Sequence, residues 1–122
     1  MDDGLTNTVI GCAIQVHKAL GPGLLENVYK QCLYHKLSKE GLSVEKEKDV
    51  PVYFEEIQMD CGCRVDLLVE NQLVVELKSV KALEDIHLAQ MLTYLKLGKF
   101  QHGLLINFNV VLLKDGIKRV AN

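Results

Sequence analysis

Along the first third of the chain, apolar residues recur at three- and four-residue steps. Leu5, Val9, Cys12, Ala13, Val16 and Leu20 form the stripe of an amphipathic helix. Gly21-Pro22-Gly23 stops it, because two glycines and a proline do not continue a helical backbone. A second helix is expected to open at Leu24 and close near Gly41, with Leu25, Val28, Cys32, Leu33 and Leu37 turned inward. From Asp49 to Gln58, Val50, Val52, Phe54 and Ile57 alternate only loosely, the pattern of a first strand or an irregular edge.

The segment from Arg64 to Ser79 is the most informative. Val65, Leu67 and Val69 alternate with other residues, as do Leu73, Val75 and Leu77 after a turn at Glu70-Asn71-Gln72. All six are odd-numbered, so a hairpin keeps them on one face only if odd residues oppose odd residues. A three-residue loop does this, pairing Val69 with Leu73 and Val65 with Leu77. The same register sets Asp66 opposite Glu76, and the two-residue period of a strand returns Lys78 to the Glu76 face. Hydrophobic patterning alone therefore gathers Asp66, Glu76 and Lys78 on one side of a sheet.

A third helix is predicted from Glu84 to about Leu97, with Leu88, Met91, Leu92 and Leu95 buried, and Gly98 ending it. Gly103 to Phe108 is a nearly continuous apolar run, as in a strand covered on both faces. Lys114-Asp115-Gly116 marks a turn before a last short strand, Ile117 to Val120. Helix, helix, strands, helix, strand, strand implies an α/β fold with a mixed sheet flanked by helices, in one domain spanning residues 1–122.

The 122 residues suffice for one modest core, and 48% hydrophobic with 25% charged residues excludes an intrinsically disordered chain. A net charge of −2 excludes reliance on non-specific phosphate neutralisation, though not a small nucleic-acid site. Residues 1–61 carry 6 basic and 10 acidic side chains, and residues 62–122 carry 8 and 6, so an anionic partner should meet the second half. Met1-Asp2-Asp3 lacks the basic region of a secretory signal, and no apolar run approaches ~18 residues. The expectation is a cytoplasmic protein with no membrane partner and with reduced thiols, Cys12 and Cys32 packing as small hydrophobes. Cys61-Gly-Cys63 is tighter than zinc-knuckle spacing and has no second pair, so packing is expected there too.

Two carboxylates on adjacent strands repel unless a cation lies between them. A hard divalent ion, Mg²⁺ or Mn²⁺, suits a gap lined by carboxylate oxygens. It could polarise a phosphodiester and acidify a water, while Lys78 stabilised the growing phosphoryl charge or oriented that water. The bland alternative is a solvent-facing Asp beside a Glu–Lys pair, and an E-x-K tripeptide alone does not separate the two.

Asp66 followed after nine residues by Glu76-Leu77-Lys78 resembles the signature of the PD-(D/E)XK nuclease superfamily, with Val65 at its variable proline position. His-Lys-Ala-Leu-Gly-Pro-Gly-Leu-Leu-Glu-Asn-Val-Tyr, from His17 to Tyr29, is similar to the opening of the GxxExxY branch, matching at Gly23, Glu26 and Tyr29. Gln90-Met-Leu-Thr-Tyr94 resembles the Q-x-x-x-Y helix of RecB-like and lambda-exonuclease-like members, and the strand Leu105-Ile106-Asn107-Phe108 also looks like theirs. The matches run in order across residues 17–108.

This resemblance implies a restriction-endonuclease-like αβββαβ core with an extra N-terminal helix. It also implies that Glu26 joins Asp66 and Glu76 in holding Mg²⁺ or Mn²⁺, and that Gln90 and Tyr94 lie near the site and the nucleic-acid backbone. Gln90 and Tyr94, four apart, share a helical face bordered by His87. Tyr29 reads better as a structural aromatic, and Glu26 near a helix start is favourable with the helix dipole whatever its function. His17 is expected to cap the last carbonyls of the first helix rather than bind metal. Lys96, Lys99, Lys114, Lys118 and Arg119 could line a phosphate track or form a solvated face.

The leading expectation is a metal-dependent nuclease acting on nucleic acid, DNA before RNA. The alternative is a non-catalytic nucleic-acid or protein interaction module on the same fold. Small size and negative charge point to a partner protein, a homo-oligomer or a weakly bound substrate. Asp66→Ala is expected to leave the fold intact, since it removes one of two repelling carboxylates.

Overall fold

The computed structural model describes residues 3–122, without the side chains of Asp3, Asp60 and Cys61. The expected packing of Cys61 therefore lies outside the described residues. Helix α1 (Asp3–Leu20) and helix α2 (Glu26–Lys39) precede strands β1 (Val44–Phe54), β2 (Ile57–Val69) and β3 (Leu73–Lys78). Helix α3 (Asp85–Gly98), strand β4 (His102–Asn107), a 3-10 turn at Leu113–Gly116 and strand β5 (Ile117–Ala121) follow. The five strands lie in the order β1-β2-β3-β4-β5, with β3 and β4 parallel and the other neighbours antiparallel. This is a restriction-endonuclease-like αβββαβ arrangement, preceded by α1 and extended by β5.

Two apolar clusters sandwich the sheet. On one face Val9 and Ala13 of α1 and Tyr29, Leu33 and Leu37 of α2 meet Leu67, Val69, Val75, Leu104, Ile106 and Phe108. On the other, Met91 and Leu95 of α3 meet Val65, Leu68, Val74 and Leu105. Burying each such leucine stabilises the fold by roughly 1.5–3 kcal/mol. Helix α3 sits close over β4 because Gly103 leaves room: a Cβ there would stand 2.7 Å from Met91 Sδ.

Four sequence expectations need correction. The inward face of α2 is Tyr29, Leu33 and Leu37, while Leu25 is 78% and Val28 38% exposed. The Tyr29 ring decides this by stacking on Phe108, centroids 4.4 Å apart. Leu92 of α3 is exposed, because Met91 and Leu95 hold the helix one step round. Asp49 to Gln58 is not one strand but the tip of a β1–β2 hairpin that turns at Glu55 and Glu56, both left-handed (φ 51 and 67). Val65 does not share a face with Leu67. The β1–β2 ladder passes from Lys46↔Leu67 to Lys48↔Val65 around a left-handed Glu47 (φ 52), and Val65 packs under α3 instead.

Candidate active site

The register of β2 against β3 is the one the odd-numbered apolar residues require: Val69↔Leu73, Leu68↔Val74 and Leu67↔Val75. Backbone pairing then ends, although the next opposed residues are Asp66 and Glu76. Their side chains take over. The Asp66 N–H donates to Glu76 Oε1 at 2.8 Å, and the Leu77 N–H donates to Asp66 Oδ2 at 2.8 Å. Strand β3 meanwhile stays paired with β4 through Glu76↔Leu105 to Lys78↔Asn107. The sheet forks, and the two carboxylates bridge the fork.

Glu76 is buried, with 7% of its surface exposed, and the Asp66 side chain is 20% exposed. Burial, and next the Asp66 charge, push the Glu76 pKa from 4.5 up to about 8. A hydrogen bond between the two carboxyl groups pushes the same way, while the Asp66 N–H and the Lys78 charge oppose it. Burial and the neighbouring carboxylate thus favour a proton held by the pair at neutral pH.

Lys78 is half-buried, and its backbone is fixed by the Phe108 N–H, which donates to the Lys78 carbonyl at 2.9 Å. Beyond it, the buried Asn107 side chain clamps Val80, accepting from its N–H (3.1 Å) and donating to its carbonyl (2.9 Å). Sequence reasoning missed this clamp; the signal available was a polar residue ending an otherwise apolar strand.

Helix α3 brings Tyr94 to the carboxylates. Burial, and then the negative charges of Glu76, Cys63 and Asp66, raise the Tyr94 pKa, and a hydrogen bond with Gln90 opposes the shift. Gln90 and Tyr94 thus bond to each other, as their four-residue spacing on one helical face allows. His87 closes the helix start instead: the Glu84 N–H donates to His87 Nδ1 at 2.9 Å.

Glu26 occupies the exposed first turn of α2. The loop before it is tied down twice. Tyr29 Oη donates to the Gly21 carbonyl (2.6 Å) and accepts from the Leu24 N–H (3.1 Å), while Ser79 Oγ donates to the Leu24 carbonyl (2.6 Å). Tyr29 is thereby structural, as expected, and the start of α2 is fastened to the end of β3 just past Lys78. Among the described residues no group of three His, Cys, Asp or Glu side chains is gathered to hold a metal ion. The structure brings Asp66, Glu76 and Lys78 together with Tyr94 and Gln90, and leaves Glu26 exposed in the first turn of α2, not gathered with the two carboxylates.

The residue that reaches Asp66 from α2 is one the sequence reading passed over. Lys30 Nζ lies 3.7 Å from Asp66 Oδ1 and 3.2 Å from Glu47 Oε1. Its position four residues after Glu26, on the same helical face, was the available signal.

Other expected roles are reassigned. His17 does not cap its own helix: buried, it donates from Nε2 to the Val110 carbonyl at 2.8 Å, tying α1 to the segment after β4. Cys12 is buried in the core, and burial raises the thiol pKa of both Cys12 and Cys63, which suits packing rather than reactivity. Lys96, Lys99, Lys114, Lys118 and Arg119 are all exposed. No helix among the described residues is long and apolar enough to cross a membrane.

A family model described as the PD-(D/E)XK nuclease superfamily matches residues 3–120. No curated protein and no solved structure matches the chain.

Proposed function

The chain belongs to the PD-(D/E)XK nuclease superfamily, and from that premise we propose that it is a divalent-metal-dependent phosphodiesterase that hydrolyses a nucleic-acid backbone. The supporting observation is the Asp66–Glu76 pair at the fork of the sheet, two hard oxygen donors close enough to share a proton.

The donor chemistry fits Mg²⁺ or Mn²⁺. Oxygen ligands suit these ions, and a divalent charge would offset both the burial and the Asp66 repulsion that raise the Glu76 pKa. Asp66 and Glu76 would hold the ion, with Glu26 contributing from the start of α2. Bound there, it supplies the positive charge that polarises the phosphodiester and acidifies a water. Lys78 faces the charge developing on the phosphoryl group and orients the attacking water. Tyr94 and Gln90 bind the backbone of the substrate from α3. Asn107, Ser79 and Tyr29 keep the two ends of the site in register.

We place the chain in the GxxExxY group, on the RecB-like and lambda-exonuclease-like side of the superfamily, from Gly23, Glu26 and Tyr29 together with Gln90 and Tyr94. The domain then covers residues 1–122, acts in the cytoplasm, and takes DNA before RNA. A partner protein or a second copy would supply substrate grip that a chain of net charge −2 lacks.

Cleavage of labelled single- and double-stranded DNA and RNA, with Mg²⁺ or Mn²⁺ and with chelator, tests the proposal. Wild type cuts in the presence of metal, and chelation or Lys78→Ala abolishes cutting. Tight, metal-insensitive binding without cleavage would establish the interaction-module reading in its place.

A further inference from the structure

Asp66 meets a cation before any metal arrives. The Lys30 side chain is only 14% exposed and lies between two carboxylates, at hydrogen-bonding distance from Glu47 Oε1 (3.2 Å) and just beyond it from Asp66 Oδ1 (3.7 Å). Glu47 holds φ 52 inside β1, a backbone conformation that L side chains rarely adopt. It does so where the β1–β2 ladder passes from Lys46↔Leu67 to Lys48↔Val65 without pairing Glu47, alongside Asp66. Strain of this kind persists where the surroundings over-determine it, and here it aims a carboxylate at Lys30.

We propose that Lys30 is a positioning residue, the built-in counter-cation of Asp66, and that Glu47 is its second anchor. Glu47 draws the ammonium group far enough from Asp66 that Lys30 makes no hydrogen bond to Oδ1, which keeps that oxygen from being taken up by the lysine. Lys30 steadies the carboxylate electrostatically, while the Leu77 N–H fixes its other oxygen. The same positive charge repels the arriving ion, so Lys30 and Glu47 set metal affinity in opposite directions. The inference rests on the reading of Asp66 and Glu76 as metal ligands.

Titration with Mn²⁺ at low ionic strength, with the free ion counted by electron paramagnetic resonance, tests it. Lys30→Met, which keeps the length and packing of the side chain, is expected to bind Mn²⁺ on the order of tenfold more tightly, because one nearby repelling charge is gone. Glu47→Gln is expected to bind about threefold more weakly, because Lys30 then settles on Asp66. The double variant should bind like Lys30→Met, and Lys30→Arg should return toward wild type. A merely structural role for Lys30 predicts weaker binding on its removal, so tightening supports the proposal. Unchanged or weaker binding by Lys30→Met, or unchanged or tighter binding by Glu47→Gln, overturns it. Glu47 has a half-exposed side chain (52%), so its variant decides the matter even if Lys30→Met does not fold. Wild type that binds no Mn²⁺ overturns the metal-dependent reading itself and this inference with it. Wild type that binds while the variants match it overturns the inference alone.

Discussion

The β2–β3 hairpin joins its strands in two different ways. Near the turn, Leu67, Leu68 and Val69 pair with Val75, Val74 and Leu73 by backbone bonds, and their buried side chains lock the strands into both apolar clusters. At the fork, Asp66 and Glu76 replace those backbone bonds with side-chain bonds to N–H groups. The first arrangement maximises burial. The second buries two acids that would be more stable apart, and it holds them there because each satisfies a backbone donor of the other strand. The site is thus a local exchange of stability for electrostatic tension, carried by a hairpin rigid enough to bear it.

The largest expected effect is at the fork. Asp66→Asn should lower cleavage by about 10³-fold, the scale of losing one preorganised electrostatic group. Its stability should stay within about 1 kcal/mol of wild type, because the amide oxygen can still accept from the Leu77 N–H. This sharpens the expectation for Asp66→Ala. Alanine relieves the repulsion, but it also leaves the Leu77 N–H without its acceptor, at a cost of about 1–3 kcal/mol. Denaturant unfolding beside a cleavage assay separates the two variants.

Next comes the ladder end. Leu67→Ala should cost about 2–5 kcal/mol in denaturant unfolding while sparing the cleavage rate of the molecules that remain folded. Equal losses of activity and stability at Leu67 and Asp66 would erase the distinction between the two regions.

A smaller effect is linked to pH. The Glu76 pKa is raised on folding, from 4.5 to about 8, so between those values the folded chain holds a proton that the unfolded chain has released. The stability this contributes is fully present below pH 4.5 and is lost as pH rises through about 8. Metal-free protein should therefore show a falling melting temperature across this window. Glu76→Gln should flatten the trend, and added Mg²⁺ should counter it near pH 8.

The smallest effect belongs to Tyr94→Phe, which keeps the ring packed beside the second cluster and removes only the hydroxyl that Gln90 bonds. Cleavage should fall by at most about tenfold, with unchanged thermal stability, as steady-state kinetics and a melting curve would show.

The sequence made the hairpin legible because its apolar residues allow one register, and that register placed Asp66, Glu76 and Lys78 without further information. It was less clear where two stripes compete. On α2, Leu25, Val28 and Cys32 offer nearly as good a face as Tyr29, Leu33 and Leu37, and the choice rests on Phe108, far along the chain. The Glu55-Glu56 turn carries none of the Asn or Gly residues that announce a left-handed pair. Val65 kept the odd-number rule yet changed faces, because the left-handed Glu47 twists the pairing beside it. Lys30 and Asn107 carried only faint local signals for a related reason: their roles lie in contacts between distant segments, which periodicity does not encode.

The most direct test is a carboxyl ¹³C titration of Glu76 and Asp66 by NMR, with and without Mg²⁺. The account predicts that the metal-free pair releases its last proton near pH 8 and that saturating Mg²⁺ brings the transition back toward the ordinary carboxylate range. Ordinary titration near pH 4.5 in the metal-free protein, unmoved by Mg²⁺, would contradict it.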